Sequence, residues 1–238
     1  MNQTSVRHAV GESAGMDLTG MDRAERVAVL RSRMDTMGGY ARQEQTICPS
    51  EKVIYLGSDL SAAFPYGGLM RQSAISVTDC PAVIVELMAQ VTKSGNSVAV
   101  VGWPELLFGG LIEHGDVSRV IAIPEPGADP WSVVSVLVEG LDVVIYHGLP
   151  VDLSPTRARP IWARIRSGNA AVITVGARLP GTDTHLEAAV QNYHGIGEGS
   201  GRIRGFDVSL RCTSKGRRPH SVTITCGRKP EKPRLQVV

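Results

Sequence analysis

Two spacings of apolar residues alternate along most of this chain. The runs Ala74-Ile75-Ser76-Val77, Ser97-Val98-Ala99-Val100-Val101, Arg119-Val120-Ile121-Ala122-Ile123, Leu141-Asp142-Val143-Val144-Ile145-Tyr146 and Ala170-Ala171-Val172-Ile173-Thr174-Val175 have the length and β-branched content of buried strands. Between them, residues 82–93, 105–113, 130–139 and 154–167 carry helical spacing, the last opening with Ser154 as cap and Pro155 in the first turn. Strand and helix alternating through short links predict an α/β fold with a mostly parallel central sheet flanked by helices. Further on the period changes. Residues 186–192 read as strand or short helix, while 201–212 and 219–226 alternate with period two around Thr213-Ser214-Lys215-Gly216-Arg217, predicting an antiparallel hairpin at a sheet edge.

Upstream of the alternation, residues 1–18 are small and polar and are expected to be disordered. Thr19 then caps a helix over 21–37 that ends at Gly38-Gly39, with Val27, Leu30 and Met34 on its apolar stripe and Arg23, Arg26, Arg31 and Arg33 around them. Lys52-Val53-Ile54-Tyr55-Leu56 is a short strand candidate. The expected division is a disordered segment 1–18, a helix and strand extension 19–60, a core with its hairpin 61–227, and a basic tail 228–238.

Charge matters here by position more than by total. With 25 basic and 23 acidic residues in 238, the net charge is only +2. From residue 202 onward, however, Arg202, Arg204, Arg211, Lys215, Arg217, Arg218, Arg228, Lys229, Lys232 and Arg234 face only Asp207 and Glu231. Such an end suits nucleic acid or an acidic protein partner, and equally a solvated hairpin and tail. Cys48, Cys80, Cys212 and Cys226 form no CxxC or Cys/His cluster, which argues against zinc and against a disulfide framework. No apolar run approaches the ~18–20 residues of a membrane helix, and the first residues lack a signal-peptide hydrophobic stretch. The expected compartment is the cytoplasm, and no membrane contact is expected.

The candidate chemistry lies in what the strand ends lack. Between the 74–77 strand and the following helix, where a nucleotide-binding α/β protein carries its phosphate loop, stands Thr78-Asp79-Cys80-Pro81-Ala82. That turn has no glycine to let backbone N–H groups wrap a phosphate and no lysine to reach it, and Asp79 adds a repelling charge.

The order of elements from Phe64 to Thr225 resembles the RecA core. Phe64-Pro65-Tyr66-Gly67-Gly68-Leu69 resembles the approach to its first core strand, and the 141–146 run resembles its Walker B strand. The 170–175 run is similar to the strand before the second DNA-binding loop, and Gly201-Arg202-Ile203-Arg204 opens a match to the closing strands. Within that superfamily the chain resembles the ImuA-type (ImuA-prime) accessory proteins of actinobacterial mutasomes. Shared features are the degenerate nucleotide site, the Ile123-Pro124-Glu125-Pro126-Gly127 turn, the Leu153-Ser154-Pro155 helix start and the basic end. The resemblance covers about three quarters of the chain, and its force lies in the order of weak motifs.

Carried over residue by residue, the catalytic pattern fails. Asp79, Cys80 and Pro81 stand at the Walker A position, His147 at the Walker B carboxylate, and Pro104 at the water-polarising glutamate, with Glu105 one residue off. Phosphoryl transfer needs Mg²⁺, a phosphate cradle and an oriented water. The expectation is a protein that is not an enzyme, with no cofactor, no metal and no catalytic residues. The DNA-binding loops are shortened to 148–153 and 176–184, which leaves the basic end for DNA.

What the resemblance implies instead is interaction. The chain would act as a non-catalytic RecA-fold adaptor in mutagenic translesion synthesis, part of the SOS response to DNA damage. Its partners would be a Y-family polymerase-like mutasome protein of the ImuB type, an error-prone C-family DNA polymerase and RecA. Because RecA packs an N-terminal helix and strand on its neighbour, Arg23, Arg26, Val27, Leu30, Val53 and Tyr55 become the expected partner-binding or self-association residues. On this reading, deleting residues 1–56 abolishes docking and leaves a folded core. The implied location is cytoplasmic, on the nucleoid when recruited. A second reading is a damage-induced division inhibitor of the SulA type, which would bind a tubulin-like division protein. A third, an enzyme remodelled around His147 or Glu105, lacks a visible nucleophile–base pair.

Overall fold

The computed structural model describes residues 50–149, 153–197 and 200–227. The 1–18 segment, the 21–37 helix with Arg23, Arg26, Val27 and Leu30, and the tail with Arg228 and Lys229 lie outside the described residues. The strands are β1 (Val53–Tyr55), β2 (Gly68–Met70), β3 (Ala74–Val77), β4 (Val98–Val101), β5 (Val120–Ile123), β6 (Val143–His147), β7 (Ala171–Val175), β8 (Thr184–Gly197), β9 (Ser200–Ser214) and β10 (His220–Gly227). The helices are α1 (Ser58–Ser61), α2 (Pro81–Lys93), α3 (Gly109–His114), α4 (Pro130–Gly140) and α5 (Pro155–Ser167).

Eight strands form one sheet in the order β10-β9-β8-β3-β7-β6-β4-β5, and β1 pairs with β2 in a separate ribbon. From β8 through β5 every neighbour is parallel, whereas β8, β9 and β10 are antiparallel. The chain is therefore α/β, with a mostly parallel sheet flanked by helices and closed by an antiparallel hairpin. Because β3 sits mid-sheet, the chain builds outward from it in two directions. The crevice for ligands in open α/β sheets lies at the carboxyl ends of strands where such a reversal occurs.

Both faces of β3, β4, β6 and β7 are covered, which is why these strands read as continuous apolar runs; the 119–123 run, expected to be a buried strand, is instead the edge strand β5, whose Ile121 is 46% exposed. All the residues of β4 and of β7 are buried. On one face α2 packs Val83, Ile84, Leu87 and Met88 against Ile75, Val100, Ile145 and Ile173. On the other, α4 and α5 set Val134, Val138, Ile161 and Ile165 against Ala99, Val101, Val144 and Val172. The first of these clusters continues under β8–β10 through Leu186, Val208, Leu210 and Ile224.

Three findings change the detail. The helix expected over 105–113 starts only at Gly109, because Leu106 N–H closes a turn on the Trp103 carbonyl and buries the Leu106 side chain first. The ambiguous 186–192 segment is the middle of a 14-residue strand, drawn out by antiparallel pairing with β9. Finally, Ile54, Leu56 and Leu60 from β1, α1 and their link are buried in the same core as α2. Gly68 makes this possible, since a Cβ there would collide with the Ile54 carbonyl across the β1–β2 ribbon.

Candidate functional site at the carboxyl edge

β3, β4 and β6 deliver Asp79, Trp103 and His147 to one edge of the sheet, and the three meet. His147 closes β6 and sets Nε2 3.5 Å from Asp79 Oδ2 and Nδ1 3.3 Å from the Gly102 carbonyl oxygen. Its ring lies on the Trp103 indole with centroids 4.2 Å apart and planes 13° from parallel. Trp103 is only 6% exposed, so the stack fills the edge of the sheet rather than lining an open cavity. The approach depends on Gly102, whose φ is +77° and whose Cβ, were there one, would lie 2.5 Å from the His147 carbonyl oxygen. Only glycine takes that backbone with nothing to clash.

The neighbouring turn offers little to a phosphate. Thr78 N–H donates to the Leu186 carbonyl, and the N–H groups of Val83 and Ile84 both donate to the Cys80 carbonyl. Pro81 begins α2 and has no N–H; Cys80 is buried and provides no side-chain cap. No residue from 78 to 82 has a positive φ, so the concave run of N–H groups that gathers an anion is not formed. The Asp79 side chain remains about half exposed at the rim. Pro104 and Glu105 are exposed just beyond Trp103. Among the described residues no hydroxyl, thiol or amine hydrogen-bonds to His147, and no group of three His, Cys, Asp or Glu side chains could hold a metal.

At the opposite edge a polar network ties strand beginnings together. Asp142 accepts from Ser97 N–H and Ser97 Oγ, each at 2.8 Å, and pairs with Arg71 Nη1 at 2.8 Å. Arg71 also donates to the Asn169 carbonyl and to Asn96 Oδ1. Burial alone would raise the Asp142 carboxyl, but the Ser97 N–H, the Arg71 guanidinium and the Ser97 hydroxyl outweigh it and hold it below the ordinary value. A cleft of about 630 Å³ lies elsewhere, where Tyr55, Leu60, Glu86, Gln90, Ile224 and Gly227 line the space between the β1–α1 segment, α2 and β10.

The expected interaction residues are dispersed. On β1, Val53 is buried and Tyr55 is 56% exposed. Arg202, Arg204 and Arg211 are exposed on β9, and Lys215 and Arg218 in the β9–β10 turn. Arg217 is committed to the fold, with Nη1 donating to the Pro65 carbonyl at 3.3 Å and the guanidinium 4.4 Å from the Tyr66 ring centroid. Arg204 lies near the start of β9 and Lys215 in the turn just past its other end, eleven residues or roughly 36 Å of extended chain apart. Sequence reasoning missed the Arg217–Tyr66 and Arg71–Asp142 pairs, since each joins residues far apart in the chain. The only available signal for Asp142 was a carboxylate inside an otherwise apolar strand run.

A mostly parallel α/β sheet with Asp79, Trp103 and His147 together at its carboxyl edge defines the class of this protein. Residues 62–181 match the family described as the MT3502 N-terminal domain, and the chain belongs to that family. It is also 33% identical over 143 residues to the uncharacterized protein Rv3395c of Mycobacterium tuberculosis, an alignment covering 57% of this chain and 69% of the relative.

Proposed function

We propose that this protein is a non-catalytic RecA-fold adaptor of the ImuA-prime type, recruiting polymerase-like partners to damaged DNA. One observation carries the reading: the three positions expected to perform nucleotide chemistry hold Asp79, Pro104 and His147, and the His147 ring is stacked on Trp103, the residue before Pro104, and in contact with Asp79. A carboxylate beside a phosphate site opposes binding, and the stacked rings occupy the edge where a nucleotide would lie. The strand order, with β3 central and an antiparallel hairpin beyond it, supports the RecA-like part of the reading. The mycobacterial relative is in keeping with an actinobacterial accessory family. The partners are the ImuB-type polymerase-like protein, the C-family polymerase and RecA.

The test is affinity capture of the full chain from DNA-damaged cells followed by mass spectrometry. Recovery of polymerase-like proteins is the expected result. Recovery of a tubulin-like division protein in their place, or Mg²⁺-dependent ATP turnover by the purified chain, would overturn the proposal. Among the described residues no helix is long and apolar enough to cross a membrane.

A further inference from the structure

We infer that the far end of the β8–β9 ribbon is a docking arm for an acidic, apolar segment of a partner protein. The inference rests on the adaptor reading for the existence of a partner and deepens it by assigning the surface.

The arm follows from the strand register. β3 accompanies β8 only as far as the Val77–Leu186 pair, and β10 accompanies β9 only to the Gly227–Gly205 pair. Past both points the two strands run on with no described strand on either side. Within this stretch the pairing is irregular: His194 faces Gly205 and Ile196 faces Gly201, so Arg202, Ile203 and Arg204 stand opposite Gly195 alone. A bulge of this kind re-aims side chains and ends regular pairing. The base is pinned where His194 Nε2 lies 2.9 Å from Asp207 Oδ1, Thr225 Oγ1 donates to the same carboxylate at 2.8 Å, and the Tyr193 ring contacts Phe206.

The side chains it presents decide the kind of partner. Tyr193, Ile196 and Ile203 are 57%, 59% and 51% exposed. Arg202 and Arg204 are exposed and have no ionic partner among the described residues. On a nucleic acid strand two arginines would neutralise two phosphates, a salt slope of only about −1.4, and the two isoleucines would meet nothing apolar on the backbone. A protein segment supplies both complements, carboxylates for the arginines and apolar side chains for Tyr193, Ile196 and Ile203. Tyrosine and arginine are also among the residues that dominate protein interfaces.

The experiment is fluorescence anisotropy of the full chain with a short fluorescein-labelled peptide alternating Glu with Leu and Phe, run beside labelled oligothymidylate. Saturable peptide binding is expected. It should weaken by about tenfold or more in Arg202→Glu/Arg204→Glu and in Tyr193→Ala/Ile203→Ser, and should not change in Lys215→Glu/Arg218→Glu. Arg202→Gln/Arg204→Gln is the milder second variant, with the urea midpoint reporting folding for each. No saturable binding, equal binding by the arm variants, or binding of oligothymidylate in place of the peptide overturns the inference. Capture of polymerase-like partners that persists in the arm variants also overturns it while leaving the adaptor reading intact. Loss of all such capture with peptide binding intact removes the adaptor reading and leaves the arm.

Discussion

Trp103 and His147 hold one edge of the sheet by packing, and Asp142 holds the other by charge, so substitutions at the two edges should differ in their response to pH. Trp103 is almost fully buried, and its removal leaves a cavity under His147 as well as losing the stack. Trp103→Ala should cost about 3–5 kcal/mol, and His147→Ala, which keeps the indole, about 1–2 kcal/mol. Urea midpoints at neutral pH check both, and a cost for Trp103→Ala no larger than that of an exposed site would show that the edge is not packed in solution. Asp142 behaves differently because its folded carboxyl lies below its ordinary value. A carboxylate depressed on folding adds stability above the unfolded value of ~3.9, and that contribution is lost as pH falls through the folded value. Asp142→Asn should therefore be less stable than wild type by about 1.5–3 kcal/mol at pH 7, with the gap shrinking below about pH 4. Asp207, also held low by His194 and Thr225, is common to both proteins and cancels in the comparison. A gap that does not change between neutral and acid pH would show that the network with Arg71 does not form.

At the scale of elements, the β1–β2 ribbon depends on a backbone contact that leaves no room for a side chain at Gly68. Gly68→Ala should part β1 from β2 and uncover Ile54 and Leu69, costing more than about 2 kcal/mol. Gly109→Ala is the contrasting change, because Gly109 stands at the start of α3 with open space around it and should gain up to about 1 kcal/mol from helix propensity. Thermal midpoints moving in opposite directions are the expected result, at about 2–4 °C per kcal/mol for a chain of this size. The same contrast explains how much could be read from the chain alone. Strands β3, β4, β6 and β7 declare themselves because burial on both faces demands unbroken apolar runs, β5 carries a similar run although it is the partly exposed edge strand, and α5 announces its start with Ser154 and Pro155. The onset of α3 and the length of β8 do not, since one waits on burial of Leu106 and the other on pairing with β9. At the candidate site Asp79, Pro104 and His147 stand out as residues unsuited to phosphate chemistry. The meeting of Asp79 and His147 beside Trp103 depends on strand order, which no local period contains.

For the molecule as a whole, the remaining question is where the folded unit begins, and the core places that boundary earlier than the strand pattern suggests. The chain divides into Met1–Ile47 and Cys48–Val238, and the second unit contains β1 and α1. Ile54 and Leu56 are 2% and 8% exposed within the main core, so a deletion through residue 56 removes two buried anchors and the strand that covers β2. Losing a buried Leu or Ile costs about 2–5 kcal/mol each, and the pair together approaches the 5–15 kcal/mol that holds a typical domain. The 1–56 deletion should therefore be insoluble or lack a cooperative urea transition, and its failure to bind a partner would say nothing about docking. Deletion of residues 1–49 leaves all of these contacts in place and should unfold cooperatively. Docking by the N-terminal extension is then tested with the 1–49 deletion alone. Loss of partner capture with a cooperative transition assigns docking to the extension, whereas unchanged capture moves it to the described unit, where Tyr55 and the β8–β9 arm are exposed. A 1–56 deletion that melts like the full chain would overturn the boundary and make β1 an appendage rather than part of the core.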